Sequence, residues 1–121
     1  MSAPNLVNVA TITAKSVQAT LGTTLTTEIL ANASSSGKVF KINTIIIANI
    51  DGSNAADASV AITKSGGSPI MIASTISVPA DATLVVIDKN SSIYLEEGDN
   101  IAAGAGGASD LTITISYEEL S

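Results

Sequence analysis

Alternation of apolar and small polar residues in "DLTITISYEEL" (110–120) is the feature that most constrains the fold of this chain. Successive side chains of a β-strand point to opposite faces of a sheet, so this pattern predicts a strand with one buried and one exposed face. The predicted buried face carries Leu111, Ile113, Ile115 and Tyr117. Similar short segments rich in β-branched residues recur along the chain and are separated by Gly, Pro, Asn, Asp and Ser. This organisation predicts an all-β protein.

About eight such strands with short turns predict a single antiparallel β-sandwich or jelly-roll-like domain over residues 1–121. Segment 38–50 contains three successive isoleucines, Ile45 to Ile47, and is therefore expected in the middle of a sheet, where both faces are covered. The predicted strand segments are 25–32, 38–50, 58–64, 69–78, 82–89, 92–95, 100–104 and 110–120. The predicted flexible loops are 33–37, 51–57, 65–68 and 103–109.

Residues 5–21 also alternate, and two interpretations of the N-terminal part remain open. Residues 1–20 form either an extended arm that adds a strand to the sheet edge of a neighbouring subunit, or the ordinary first strand of the chain's own sandwich. The opening "MSAPNLVNVA" has no basic segment followed by an apolar core, so no signal peptide is expected. No run approaches the roughly 18 apolar residues that a membrane-spanning helix needs.

The charge pattern argues against nucleic-acid and membrane partners. The net charge is −6, and only 13% of the residues are charged. All basic residues are lysines, and they are spread along the chain at positions 15, 38, 41, 64 and 89. Binding to nucleic acid or to an anionic membrane needs a clustered basic surface. Sparse charge instead suits a protein that works within an assembly, because free proteins commonly use charge to stay apart.

Residue types needed for common catalytic sites are missing. The chain has no His and no Cys, so a Ser or Thr nucleophile has no imidazole base, and cysteine-based metal sites are excluded. Glycosidases use two carboxylates across a sugar-binding groove, and such grooves normally carry aromatic side chains, whereas this chain has no Trp. The acidic pair Glu118 and Glu119 is more simply interpreted as a solvated strand end. We therefore predict no enzymatic activity, no catalytic residues and no cofactor.

The loop "DGSNAAD" (51–57) is a weak candidate for a calcium site. Calcium binds carboxylate, amide and backbone oxygens, which Asp51, Asn54 and Asp57 offer. The spacing is not that of an EF-hand loop, and Asp, Asn and Gly are equally typical of a simple turn between strands. Both interpretations stay open at the level of sequence.

The acidic turn within "SSIYLEEGDNIAA" (91–103) is a second, weaker calcium candidate, through Glu96, Glu97 and Asp99. As a strand–turn–strand element, the same segment requires a residue that adopts positive φ, and Gly98 satisfies this requirement. In that interpretation Asp99 bonds the backbone of the turn, while Glu96 and Glu97 project into solvent.

Several structural motifs occur from residue 38 onward. They are "KINTIIIANIDGS" (41–53), "VPA" (78–80), "IYLEEGD" (93–99) and "ISYEE" (115–119). With these motifs, about two-thirds of the chain resembles small β-sandwich virion structural proteins of tailed bacteriophages, of the marine and cyanobacterial type. The motifs belong to strands and turns and include no catalytic residues, so the resemblance transfers no functional residue to this chain.

This resemblance implies a protein that works by assembly and without catalysis. The expected function is that of a capsid decoration, or cement, protein that stabilises the phage head through lattice contacts. A neck, tail or fibre-associated role in the virion is the alternative, and a carbohydrate- or calcium-binding β-module is a third function, from a different class. The expected partners are other virion proteins (the major capsid protein, or neck and tail proteins) and further copies of the chain in a homo-oligomer. The expected location is the virion.

Overall fold

The computed structural model describes residues 9–25 and 28–121. Within these ranges the chain forms nine β-strands, a short 3₁₀ helix at Lys89–Ser91 and no α-helix. No helix of the described residues is long and apolar enough to cross a membrane. The strands are β1 (Ile12–Thr20), β2 (Glu28–Ala31), β3 (Val39–Asn49), β4 (Ala56–Thr63), β5 (Ile70–Val78), β6 (Thr83–Ile87), β7 (Ile93–Leu95), β8 (Asn100–Ala105) and β9 (Leu111–Leu120).

The strands form two antiparallel sheets that pack against each other. The first sheet has the order β1-β9-β3-β6, and β7 also pairs with β3. β3 is central because one of its edges pairs with β9, while residues 40–42 and 45–48 of its other edge pair with β7 and β6. The second sheet has the order β2-β8-β4-β5. The predicted all-β sandwich is therefore confirmed, with nine described strands instead of about eight.

The chain changes sheet at most of its connections, which places early and late strands side by side. β1 lies beside β9 in one sheet, and β2 lies beside β8 in the other. At one side of the sandwich β1 approaches β2, and at the opposite side β5 approaches β6. This interleaving of strands in two layers is that of a jelly roll.

The core lies between the sheets and is almost entirely aliphatic, since aromatic residues make up only 2% of the chain. Ile45 and Ile115 lie opposite each other on β3 and β9, and both are fully buried. Burial of each such side chain contributes about 1.5–3 kcal/mol. Phe40 and Tyr117 also belong to the core cluster, with ring centroids 5.2 Å apart. The face of β9 predicted to be buried is buried along its whole length.

The N-terminal strand belongs to the chain's own sandwich. β1 pairs with β9 in an unbroken register, from Ile12 opposite Leu120 to Thr20 opposite Thr112. These residues form the first strand of the first sheet. Residues 1–8 of the predicted arm lie outside the described residues.

The predicted loop 103–109 is wrong at its beginning. Residues 103–105 belong to β8 and are buried, although their small side chains suggested flexibility. A Cβ at Gly104 would lie 3.0 Å from the carbonyl oxygen of Thr24. Glycine suits this position because another part of the backbone packs closely against it.

Candidate functional site

A distant lysine holds together the acidic turn between β7 and β8. Asp99 is only 2% exposed, and Nζ of Lys64, just after β4, lies 2.5 Å from its Oδ2. The same Nζ lies 2.5 Å from Oε2 of Glu96, whose side chain is exposed. The backbone N–H of Ser65 donates to Asp99 Oδ1 at 3.0 Å, and that of Glu96 donates to Asp99 Oδ2 at 2.9 Å. Asp99 thus joins the β4–β5 loop to the β7–β8 turn.

The charges of Asp99 and Lys64 are fixed near neutral pH. Burial raises the pKa of Asp99, but the hydrogen bonds from Lys64, Glu96 and Ser65 outweigh this effect and hold the pKa below its ordinary value. The pKa of Lys64 is raised, first by its hydrogen bond to Asp99 and then by its hydrogen bond to Glu96. A general acid or base works best with a pKa near the working pH. The chemistry that this arrangement offers is therefore ion pairing.

Gly98 is required in this turn both for its backbone conformation and for its lack of a side chain. Its φ is 87°, as predicted for the turn. A Cβ at this position would lie 2.6 Å from Oγ and 2.7 Å from Cβ of Ser65. The strand–turn–strand element predicted for this segment is present.

The acidic turn is also tied to the β2–β3 loop, and the prediction that Glu97 projects into solvent is wrong. Its Oε2 accepts the backbone N–H of Gly37 at 2.9 Å. Asn32, which is 1% exposed, strengthens the same connection. Its Nδ2 donates to the carbonyl oxygens of Lys38 at 2.9 Å and of Leu95 at 3.0 Å. Three loops are therefore fastened together at this end of the sandwich.

The residues of the first calcium candidate are divided between a turn and a strand. Oδ1 of Asp51 accepts the N–H of Ser53 at 2.8 Å and that of Asn54 at 3.4 Å. The hydrogen bond from Ser53, together with weaker ones from Asn54, lowers the pKa of Asp51. Asp57 instead lies in β4, opposite Ser77. Within residues 9–25 and 28–121, no group of three or more His, Cys, Asp or Glu is arranged to hold a metal ion.

The C-terminal acidic pair is not a solvated strand end, contrary to the simple interpretation of the sequence. The side chain of Glu119 is 13% exposed and lies between Nζ of Lys15 at 3.1 Å and Nζ of Lys38 at 3.2 Å. Burial raises the pKa of Glu119, but the hydrogen bonds from both lysines bring it below its ordinary value. Glu118 accepts Nδ2 of Asn43 at 3.3 Å. These contacts connect β9 to both strands beside it.

The sequence interpretation missed the ion-pairing role of Lys64 and two buried asparagines, Asn32 and Asn49. Asn49 is 3% exposed, and its Nδ2 donates to the carbonyl oxygens of Asn54 at 3.0 Å and of Val78 at 2.9 Å. A signal for both asparagines exists in the sequence, because each occurs at the end of an apolar strand segment. An amide can donate two hydrogen bonds to carbonyl oxygens that the sheet leaves unpaired.

Exposed apolar side chains mark the side of the sandwich where β5 and β6 approach each other. We call this surface the open seam, and its residues are between 38% and 65% exposed. The open seam comprises Ile70, Ile72 and Ile76 of β5. Contiguous exposed apolar residues on a protein surface are typical of interaction sites.

Two residues of the open seam lie on the face of β5 that points toward the core. Ile70 is opposite Ile62 and Ile76 is opposite Ala58, and directly opposed residues of antiparallel strands share a face. Ala58 belongs to the core and Ile62 packs against it. Ile70 is nevertheless 65% exposed and Ile76 is 41% exposed. The core therefore reaches the surface along the open seam.

β5 is an edge strand with an irregular backbone. Its register against β4 shifts between Ala58 and Val60 and again between Val60 and Ala61. Thr75, beside the first shift, has φ = 47°, which is unusual for a β-branched residue, and its N–H donates to Oγ of Ser59 at 2.9 Å. Bulges on an edge strand hinder regular pairing with another strand. The open seam thus offers apolar side chains more readily than a free backbone edge.

No family model matches this chain, and no curated protein matches it.

Proposed function

We propose that this chain is a non-enzymatic structural protein of a bacteriophage virion that decorates the capsid and stabilises the head through lattice contacts. The observation that carries the proposal is the open seam, where core-facing side chains of β5 are left in contact with solvent. Exposed apolar surface of this kind is removed from water when another protein covers it, which is the main driving force of association.

Two features of the sequence support this proposal. Residues 65–80, which include the whole of β5, contain no ionisable side chain, although the chain carries a net charge of −6. A neutral surface lets other subunits approach closely. The segments 41–53, 93–99 and 115–119 resemble small tailed-phage virion proteins, and this resemblance supports a virion setting with other virion proteins as partners.

Copy number and position in purified phage particles test the proposal. We expect quantitative mass spectrometry to find the chain in purified heads at a fixed ratio to the major capsid protein, and electron cryo-microscopy to place it across the outer shell. A few copies at one vertex or along the tail would overturn the decoration role in favour of a neck or tail role. Absence from the particles would overturn the virion role altogether.

The stabilising role has its own test in particles that lack this protein. We expect such particles to release DNA at a lower temperature than complete particles do, because lattice contacts have been removed. When the ionic strength is lowered stepwise, they should also release DNA at an earlier step, at which complete particles still retain it. Addition of the purified chain should restore the original behaviour. Unchanged resistance to heat and to changes in salt would contradict the stabilising role.

A further inference from the structure

The loop between β3 and β4, residues 50–55, contains a reactive dipeptide. Asp51 is the only aspartate of the chain that is followed by glycine. We propose that Asp51 is a site of spontaneous isomerisation to isoaspartate, and that the hydrogen bonds of the β3–β4 loop protect it while the chain is folded. The inference concerns the covalent chemistry of this loop and does not rest on the proposed function.

Isomerisation begins when the backbone nitrogen of Gly52 attacks Cγ of Asp51. A C–N bond forms, and one carboxylate oxygen leaves as water with the N–H proton and a proton from solvent, which closes a five-membered succinimide ring. Water then opens the ring at either carbonyl. Cleavage at the former side-chain carbonyl restores aspartate, whereas cleavage at the former backbone carbonyl leaves the main chain running through Cβ and Cγ. The mass of the chain is unchanged, and water is the only other reactant.

Gly52 provides an accessible nitrogen for this attack. It is exposed and lies in a bend outside the strands. Glycine has no side chain to hinder the approach of its nitrogen to the preceding carboxyl group. Among the described residues, no acceptor is bonded to the N–H of Gly52. Asp81 is followed by Ala82 instead, whose N–H donates to the carbonyl oxygen of Pro79 at 3.0 Å.

Hydrogen bonds restrain the carboxyl group of Asp51 in the folded chain. Its Oδ1 accepts the N–H of Ser53 at 2.8 Å and that of Asn54 at 3.4 Å, so the side chain is tied to residues beyond Gly52. The hydrogen bond from Ser53 is also the main reason why the pKa of Asp51 lies below its ordinary value. An ionised carboxylate reacts slowly with the nitrogen, because its oxygen leaves only after it has been protonated.

Both ends of the reactive segment are attached to one buried side chain. Asn49 is 3% exposed, and its Oδ1 accepts the N–H of Asp51 at 2.8 Å. Its Nδ2 donates to the carbonyl oxygen of Asn54 at 3.0 Å. Isoaspartate inserts one additional backbone carbon between these two points of attachment. The folded loop therefore opposes the product as well as the reaction.

Incubation of the full chain at neutral pH, with and without concentrated guanidinium chloride, tests the protection. After proteolysis, liquid chromatography with mass spectrometry separates the isoaspartyl peptide from the aspartyl peptide of the same mass. We expect isoaspartate at position 51 to accumulate at least severalfold faster in the unfolded chain than in the folded chain. Equal rates in the two states overturn the inference, and so does the absence of isoaspartate at position 51 from the unfolded chain.

The variant Ser53→Pro tests the role of the hydrogen bond from Ser53. Proline has no N–H to donate to Asp51, while the nitrogen of Gly52 is unchanged. We expect this variant, with a β-sheet spectrum by circular dichroism like that of the wild-type chain, to isomerise severalfold faster than wild type under folding conditions. Ser53→Ala is the matched control, because it keeps the backbone N–H, and its rate should equal that of wild type. Equal rates in folded Ser53→Pro and Ser53→Ala overturn the protection assigned to this bond.

The variant Gly52→Ala tests the chemistry itself. Its Cβ hinders the approach of the nitrogen to Cγ of Asp51, so we expect a severalfold lower rate than wild type when both chains are unfolded. An unchanged rate would show that the isomerisation does not proceed through attack by this nitrogen. The comparison between unfolded chains decides this point whether or not a variant folds.

Discussion

Asp99 is almost fully buried, yet each of its carboxylate oxygens accepts a backbone N–H and Oδ2 also contacts Nζ of Lys64. Burial of an unpaired carboxylate is unfavourable, so these contacts explain how the residue is accommodated. They also fasten together loops that are more than thirty residues apart in the sequence. Asp99 therefore stabilises this end of the sandwich as a whole.

Asp99→Asn should lower the free energy of unfolding by about 2 kcal/mol. An amide has one oxygen and one NH₂ group, so the NH₂ group must face one of the two backbone N–H groups that Asp99 now accepts. Chemical denaturation at neutral pH measures the change.

Asp81→Asn is the matched control for this prediction. Asp81 is exposed and has φ = 59°, a conformation that Asn tolerates well. Its effect should stay within about 0.5 kcal/mol. Equal losses in the two variants would show that the hydrogen bonds of Asp99 do not contribute specifically to stability.

Among single residues, the conformational role of Gly98 was predictable, whereas the partners of the acidic residues were not. A glycine among polar residues between two apolar segments indicates a turn by local preference alone. The contact of Glu119 with Lys38, or of Glu97 with Gly37, joins positions far apart in sequence. Local preference contains no information about such partners, so the sequence suggested that these acidic residues were solvated.

At the scale of elements, β5 combines a backbone irregularity with exposed apolar side chains. Thr75 adopts positive φ beside a register shift, and its N–H is satisfied by Ser59. Strained backbone persists where the surrounding structure imposes it, and such strain clusters at functional positions. Here it accompanies the open seam and keeps the edge of the second sheet irregular.

Thr75→Asn should raise the free energy of unfolding by about 1 kcal/mol, because Asn tolerates the left-handed conformation that a β-branched residue resists. The backbone N–H to Ser59 is kept in this variant. Thermal and chemical denaturation at one fixed protein concentration measure the change.

Thr83→Asn provides the comparison for Thr75→Asn. Thr83 is exposed on β6, also an edge strand, and it is not among the residues with positive φ. There Asn replaces a residue with better strand preference, so stability should fall by a few tenths to about 1 kcal/mol. A loss of stability in both variants would contradict the strain assigned to Thr75.

The strand segments themselves were largely predictable, and the exception has a structural cause. β3, β5 and β9 fall within or match the predicted segments 38–50, 69–78 and 110–120. Residues 103–105 were assigned to a flexible loop because small residues are common in loops. In the sandwich they form a buried part of β8, where Gly104 allows the close approach of Thr24. Only the packing distinguishes these two uses of small residues.

At the scale of the whole molecule, ion pairs reinforce connections between elements that are neighbours in the sheets. Lys64 links the second sheet to the β7–β8 turn, and Glu119 links β9 to Lys15 and to Lys38. Asp99 and Glu119 have pKa values below their ordinary values of 3.8 and 4.5, while that of Lys64 is above 10.5. The stability of the molecule therefore depends on pH.

The free energy of unfolding should be highest between about pH 5 and pH 10. The lowered pKa values of Asp99 and Glu119 stabilise the folded state at pH values above the pKa of these residues in the unfolded chain. This stabilisation is lost as the pH falls through their pKa values in the folded state. The raised pKa of Lys64 stabilises the folded state at pH values below the pKa of this lysine in the unfolded chain. This stabilisation is lost as the pH rises through the pKa of Lys64 in the folded state. Chemical denaturation from about pH 2 to about pH 12, which extends beyond this range on both sides, measures both losses.

The Asp99→Asn variant is the control for the pH dependence. It lacks the titration of Asp99, so its stability should fall less than that of the wild-type chain between pH 5 and pH 2. An identical acid dependence in the two proteins would show that Asp99 does not contribute to it.

The sequence by itself determined the all-β class, most strand segments, their buried faces and the turn at Gly98. These properties follow from local preference and from a two-residue period, both of which act over a few neighbouring residues. The period assigns each side chain to a face but does not specify which strand lies alongside. The order β1-β9-β3-β6 and β2-β8-β4-β5 was decided by tertiary structure, as were the contacts of Asp99 and Glu119. The open seam exists only because β5 and β6 are edge strands on the same side of the sandwich, a consequence of packing between residues distant in sequence.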